Sequence, residues 1–308
     1  MNRLWTIQKV RDLLNGKNDG ISENEEMLEL IEELRNIISS HKGPFYFFDL
    51  HSTSSDTSPF ITINDMLVNR ELSSNYPIPV ILGLEEFLEG PFLSFMNEVG
   101  YPCLGFEAGQ HDSIHSIEHQ KEFIYLSLFY TGFIDQSEFP KFNQYYSALA
   151  QTSARTQKFF EIEKIHKVKE GDKFKMEPGF VNFQKVSKGE TVAKDKSGEI
   201  KISKDSRILM PLYQNQGEDG FFLIKSTPKF WLDLSKKMRN LKLDFLLTFL
   251  PGVNFSADKR TLIVNKNIAI FFAKKFMHLL GYRVRNESEN KILFTKRDHG
   301  LNLEILNL

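Results

Sequence analysis

An α/β domain, then an all-β module, then a closing α+β piece is the architecture this 308-residue sequence predicts. Short apolar runs alternate with helical-period stretches through the first half, the pattern of a parallel or mixed sheet flanked by helices. From about Phe159 that alternation gives way to short strands separated by Gly- and Pro-bearing turns. Helical and hairpin patterns then return. The predicted divisions are 1–155, 156–226 and 227–308.

Ser22-Glu23-Asn24-Glu25 has the form of a capping box, so a helix is predicted over 23–40. Met27, Leu30, Ile31, Leu34, Ile37 and Ile38 recur along it at helical spacing and form its apolar stripe. Phe45-Tyr46-Phe47-Phe48 reads as a strand covered on both faces, and it ends in Asp49 and His51. Pro79-Val80-Ile81-Leu82 predicts a strand before a helix near 90–99. Cys103-Leu104-Gly105-Phe106 predicts another before a helix near 115–132. Ligands of such sheets bind beyond the carboxyl ends of the strands, where His51 and Glu107 fall. In the β module, Val186 to Ile200 resembles the turn-rich strands of biotinyl/lipoyl-type barrel-sandwich domains. Helices near 228–240 and 266–280 and a hairpin over 282–297 complete the chain.

A net charge of -1 and a pI near 6.7 give no whole-chain case for nucleic acid or an acidic membrane surface. The expected partner is a small molecule, with a homo-oligomer left open. Charge is nevertheless uneven, because residues 225–300 hold 16 Lys+Arg against 6 Asp+Glu. Those cations read as a solvated basic face or as guidance for an anionic substrate. The single cysteine, Cys103, excludes an intrachain disulfide and points to a reducing compartment; its apolar setting predicts a buried, inert thiol. No apolar run approaches the roughly 18 residues of a spanning helix, and the first 20 residues hold no signal-like core, so a cytoplasmic protein is expected.

Hydrolysis of an amide at zinc needs a metal held by about three protein ligands, a carboxylate to take the proton of its water, and a cation for a carboxylate-bearing substrate. His51, Glu107 and Arg3 have the side chains for these roles. Other clusters rank lower. His115 and His119 share a helix face, and with His111 could form a second metal site, although no cysteine or well-spaced carboxylate completes it. Ser52 to Ser55 lack the G-x-S-x-G of a nucleophile elbow. Lys194 and Lys196 lack the E-x-M-K-type setting of a carrier lysine.

The motifs resemble those of the succinylglutamate desuccinylase/aspartoacylase family, relatives of the zinc carboxypeptidases. The opening MNRLW is similar to the family's D-(M/L)-N-R-x-(F/W), which implies that Asn2 and Arg3 hold the substrate carboxylate. DLHST at 49–53 is similar to its D-L-H-(N/S)-T, which implies that His51 is a zinc ligand. FEAGQH at 106–111 is similar to its strand ending in E-x-G, which implies that Glu107 is catalytic, with His111 in the pocket beside substrate. The resemblance covers roughly residues 1 to 225. It implies a zinc-carboxypeptidase-like mixed sheet followed by a barrel-sandwich-like β domain, one zinc ion as cofactor, and hydrolysis of the amide or ester bond of an N-acyl amino acid or similar small carboxylate. Some members bring a tyrosine from the β domain to the site; Tyr213 is a weak substitute here.

One departure is large. The family's first two zinc ligands lie in a G-x-H-G-x-E motif ahead of the asparagine-arginine pair, and no H-x-x-E precedes His51 in this sequence. An amino-terminal truncation is therefore expected, and a chain inactive as written, since one imidazole cannot hold catalytic zinc. The alternative is a metal-free binding or regulatory relative.

Overall fold

The structure is a computed structural model that describes residues 3–17, 20–54, 57–153, 159–214, 217–256, 260–269 and 273–308. In chain order its first half comprises α1 (Ile7–Leu14), α2 (Ser22–Ser40), β1 (Phe47–Thr53), β2 (Phe60–Ile63), α3 (Leu67–Ser73), β3 (Val80–Leu82), α4 (Phe92–Val99), β4 (Cys103–Gln110), α5 (Ile114–Tyr130) and α6 (Phe142–Thr152). There follow β5 (Phe159–Lys167), β6 (Lys175–Met176), β7 (Lys185–Val186), β8 (Thr191–Asp195), β9 (Gly198–Lys201), β10 (Ser206–Leu209) and β11 (Asp219–Thr227). The last part holds α7 (Lys229–Asn240), β12 (Val253–Phe255), β13 (Thr261–Asn265), α8 (Lys266–Ala269), α9 (Ala273–Leu279), β14 (Tyr282–Glu287) and β15 (Lys291–Lys296).

An eight-stranded mixed sheet, in the order β1-β4-β2-β3-β5-β11-β10-β7, is the frame. β1 runs parallel to β4, and β3 runs parallel to both β2 and β5. The remaining neighbours in it are antiparallel. Alternate residues of a strand point to opposite faces, and β1 and β4 use both. Phe47 and Cys103 join a core with Trp5, just ahead of α1, Met27 and Ile31 of α2 and Phe95 of α4; Phe48, Leu104 and Phe106 join another with Tyr76, Phe123 and Leu126. Burial on both sides is why these strands read as unbroken apolar runs. The Cys103 thiol is buried as expected, and burial pushes its pKa up.

The sheet crosses the predicted division at 155, since β5 pairs with β3 and Phe160 packs with Phe60 and Ile81. The turn-rich module therefore extends the same sheet. A small sheet, β6-β8-β9, packs on it through Met176, Val192 and Ala193. The closing α+β piece is an antiparallel sheet, β12-β13-β15-β14, with its own core around Leu262, Met277 and Phe294.

Several elements differ from expectation. α2 begins at Ser22 with Ile21 as its N-cap, which makes no side-chain cap bond, so the capping box does not form. The predicted helix over 266–280 is described as α8 and α9, with 270–272 outside the described residues. The short strand β2, all four of whose residues are buried, was not expected, nor were α1, α3 and α6.

Most described cations of the closing piece are exposed, as a solvated face requires, but three of its arginines do something else. Arg239 and Arg297 are buried, and Arg283 partly buried, against the α/β unit. Arg239 and Arg297 reach Asp65, Arg283 reaches Glu98, and Arg297 also reaches Glu85 and Glu86. Arg70 adds a two-pronged pair to Asp65. Burial alone would raise the Asp65 pKa, but Arg70, Arg297 and Arg239 hold it well below the usual carboxylate range. Such pairs gain little over apolar packing, yet each fixes how the two parts dock, because an unpaired partner left inside is costly.

Candidate active site

β1 and β4 are hydrogen-bonded parallel neighbours, and their register sets His51 beside Glu107. Both residues lie near the carboxyl ends of their strands. Asp49, two residues before His51 and on the same strand face, accepts a hydrogen bond from His51 Nε2 at 2.8 Å. Behind the strand, Gln120 of α5 donates to the His51 carbonyl at 2.9 Å. The hydrogen bond to Asp49 raises the His51 pKa against the opposing effect of burial, and the Glu107 charge adds to the rise.

Glu107 is the more perturbed group. Its Oε2 is sealed from solvent and has no hydrogen-bond partner. Burial pushes its pKa up to about 7; the His51 charge opposes the rise and Asp49 adds to it. A carboxyl that titrates near neutrality in a cleft suits proton transfer.

These groups line one cleft of about 330 Å³ together with Arg3, His111 and Asp219. Arg3 arrives from the chain start because the backbone there lies against the loop at 83–91. Trp5 N donates to the Gly90 carbonyl at 2.9 Å, and a Cβ at Gly90 would collide with the Arg3 carbonyl. The guanidinium of Arg3 pairs with Asp219, the first residue of β11, which Lys167 also holds at 2.7 Å. His111 Nδ1 and Ser52 Oγ lie 2.8 Å apart at the rim. Leu84, Leu88, Leu93, Met210 and Leu212 supply the apolar wall.

The cleft thus brings together His51, Glu107, Arg3 and His111. Asn2 lies outside the described residues. Tyr213 is engaged elsewhere, its hydroxyl bound to Phe180 N at 2.8 Å and to nearby carbonyls, and it does not line the cleft. Asp49, which the sequence reading named without a role, and Asp219, which it did not name, are cleft residues. The two-residue spacing to His51 could have found Asp49; no local signal marks Asp219.

Among the described residues no group of three or more His, Cys, Asp or Glu could hold a metal. His51 Nε2, the nitrogen facing Asp49, is already engaged, so the described cleft does not by itself fit a resident zinc. The H-x-x-E spacing missing ahead of His51 does occur within α5, at His115/Glu118 and His119/Glu122. These residues do not line the cleft, and His119 Nδ1 donates to the Ala108 carbonyl at 2.8 Å.

A larger cavity, about 650 Å³, lies where the closing piece meets β5 and β11. Its carboxylates are already paired: Asp65 with Arg70, Glu161 with Lys225, and Glu163 with Lys204 and Lys225. The smaller cleft, with its unpaired buried carboxyl, is the chemical candidate.

Fold and cleft define an α/β protein with an imidazole and a neutral-range carboxyl at the ends of paired parallel strands. No model of a known protein family matches the chain, and no curated protein matches it. Among solved structures it is similar to a succinylglutamate desuccinylase/aspartoacylase from Rhodobacter sphaeroides, at 14% identity and a TM-score of 0.42 over 59% of this chain and 58% of that one. It is also similar to a succinylglutamate desuccinylase from Vibrio parahaemolyticus, at 13% identity and a TM-score of 0.46 over 74% of this chain and 65% of that one. A third is an aspartoacylase family protein from Mesorhizobium loti, at 15% identity and a TM-score of 0.45, covering 74% and 82%. The match spans less than two thirds of the first two structures' own length. No helix among the described residues is long and apolar enough to cross a membrane.

Proposed function

We propose that the cleft binds an N-acylated amino acid or a similar small carboxylate, as part of a deacylase-type hydrolase that cleaves an amide or ester bond. The observation that carries this reading is the convergence of His51, Glu107 and Arg3 on one cleft, in the roles the sequence motifs imply. Arg3 anchors the carboxylate of the ligand in exchange for Asp219. Glu107, whose pKa is near 7, holds or moves the proton of the attacking water or leaving group. His51, oriented by Asp49, faces the scissile group. Zinc at this site would need ligands beyond His51. A reducing, cytoplasmic setting fits the single buried cysteine.

A second reading is a metal-free binding protein. It is favoured by the Asp49–His51 and Arg3–Asp219 pairs, which engage the His51 ring and the Arg3 guanidinium internally. Calorimetry with a panel of N-acetyl and N-succinyl amino acids, with amine release assayed in added zinc, separates the two. Binding that weakens on Arg3→Ala supports the cleft in either case; amine release that stops on Glu107→Gln selects the hydrolase. If no member of the panel binds or is cleaved, both readings fall.

A further inference from the structure

The geometry points to Arg297 as a positioning residue for the cleft, through which the closing α+β piece holds the loop at 83–91; the inference rests on the reading of that cleft as the ligand site.

The loop has two working sides. Toward the cleft it presents Leu84, Leu88 and Pro91, and its Gly90 cradles the backbone that delivers Arg3. Gly90 has a φ of 77°, and only a residue without a Cβ lets the Arg3 carbonyl lie so close. Away from the cleft the loop presents Glu85 and Glu86, which meet Arg297 just after β15. Loop and hairpin lie more than 200 residues apart in sequence.

The guanidinium of Arg297 is fully committed. Nε donates to Glu85 Oε1 at 2.8 Å, Nη2 donates to Glu86, and Nη1 donates to the Tyr282 carbonyl at 3.1 Å. The Glu85 side chain is 1% exposed and that of Arg297 4%, so water does not substitute for either partner. A planar fork reaches three acceptors at fixed angles, which a lysine ammonium does not reproduce. The loop's other side-chain ties are longer, Asp65 N donating to Glu85 Oε1 at 3.3 Å and His278 Nε2 lying 3.3 Å from Glu86, and its short helical turn, Leu84–Glu86, starts at Gly83 with no side-chain cap. Arg297 therefore ties the β14–β15 hairpin to the back of the cleft wall, and through Gly90 to the placement of Arg3.

Hydrogen-exchange mass spectrometry on the full chain tests this without needing turnover. In Arg297→Gln, amides over 84–91 and 3–6 are expected to exchange at least about tenfold faster, with those of β1, β4 and β13 unchanged. Arg297→Lys should recover only part of that protection. Should Arg297→Gln fail to fold, the paired change Glu85→Gln and Glu86→Gln weakens the same contacts from the loop side and leaves Arg297 on Asp65 and Tyr282; the same loosening is expected. Unchanged exchange over 84–91 in the variant that folds, or faster exchange confined to 261–296, overturns the proposal. Where an N-acyl amino acid binds, Arg297→Gln should weaken it about tenfold in parallel with the exchange, and undiminished affinity also counts against positioning. Absence of any acyl ligand removes the deacylase reading but leaves the exchange result to decide this one.

Discussion

His51 and Glu107 stand side by side in register on two parallel strands, so that one backbone ladder fixes an imidazole and a half-buried carboxyl at the mouth of the same cleft. Neither side chain depends on a mobile loop for its position. The sealed Oε2 of Glu107 has no hydrogen-bond partner, so its burial is not repaid there. Function is the economical explanation for a group held at a cost to the fold.

That cost gives the first prediction. A carboxyl whose folded pKa is raised from 4.5 to about 7 stabilises the fold relatively at low pH and loses that contribution as pH rises from 4.5 through 7. Glu107→Gln should therefore stabilise the protein more at pH 8 than at pH 5, by roughly 3 kcal/mol on the scale of 1.36 kcal/mol per unit. Urea denaturation at the two pH values measures it; equal effects at both would mean that the carboxyl is not buried.

Asp219 should compete with ligand. Its carboxylate occupies Arg3, so Asp219→Asn is expected to tighten binding of a small carboxylate by roughly tenfold, the scale of one charge-assisted hydrogen bond. Calorimetry on the wild type and the variant gives the answer, and weaker binding by the variant would assign Asp219 to ligand recognition instead.

Zinc affinity should be low for these 308 residues. With no three-ligand group among the described residues, equilibrium dialysis is expected to find binding weaker than about micromolar, and His51→Ala should change it little. Stoichiometric zinc that resists dialysis and is lost in His51→Ala would show that the cleft gathers ligands the described arrangement does not.

The docking of the closing piece should fail in acid over a defined window. Burial would raise the Glu161 pKa, but the hydrogen bond from His278 and the charge of Lys225 bring it down to about 2. Its contribution is present above the ordinary value of 4.5 and is lost as pH falls from there toward 2. Glu161→Gln should thus cost up to about 3 kcal/mol at pH 7 and flatten the stability profile between those limits. An unchanged acid limb in the variant would show that this cluster does not hold the junction.

Much of the site was readable because it follows strand periodicity. The apolar runs at 45–48 and 103–106 end in polar residues, and the parallel pairing of their strands makes those ends coincide. Asp49 was legible by the same rule, being two residues before His51. The interior cations were not: Arg239, Arg283 and Arg297 meet acids far away in sequence, and a lone arginine carries no local sign of burial. β2 escaped because three apolar residues and a threonine behind a proline resemble a loop that happens to be buried. Ser22 misled because a capping motif does not say whether its serine lies at the cap or, as here, inside the first turn.

Histidine NMR on the chain tests the central claim most directly. Because the Glu107 charge contributes to the raised pKa of His51, Glu107→Gln should lower the His51 titration midpoint, and addition of an N-acyl amino acid should shift the same ring resonances. A His51 signal indifferent to both changes would contradict the account, since the two groups would then not share a ligand-binding cleft.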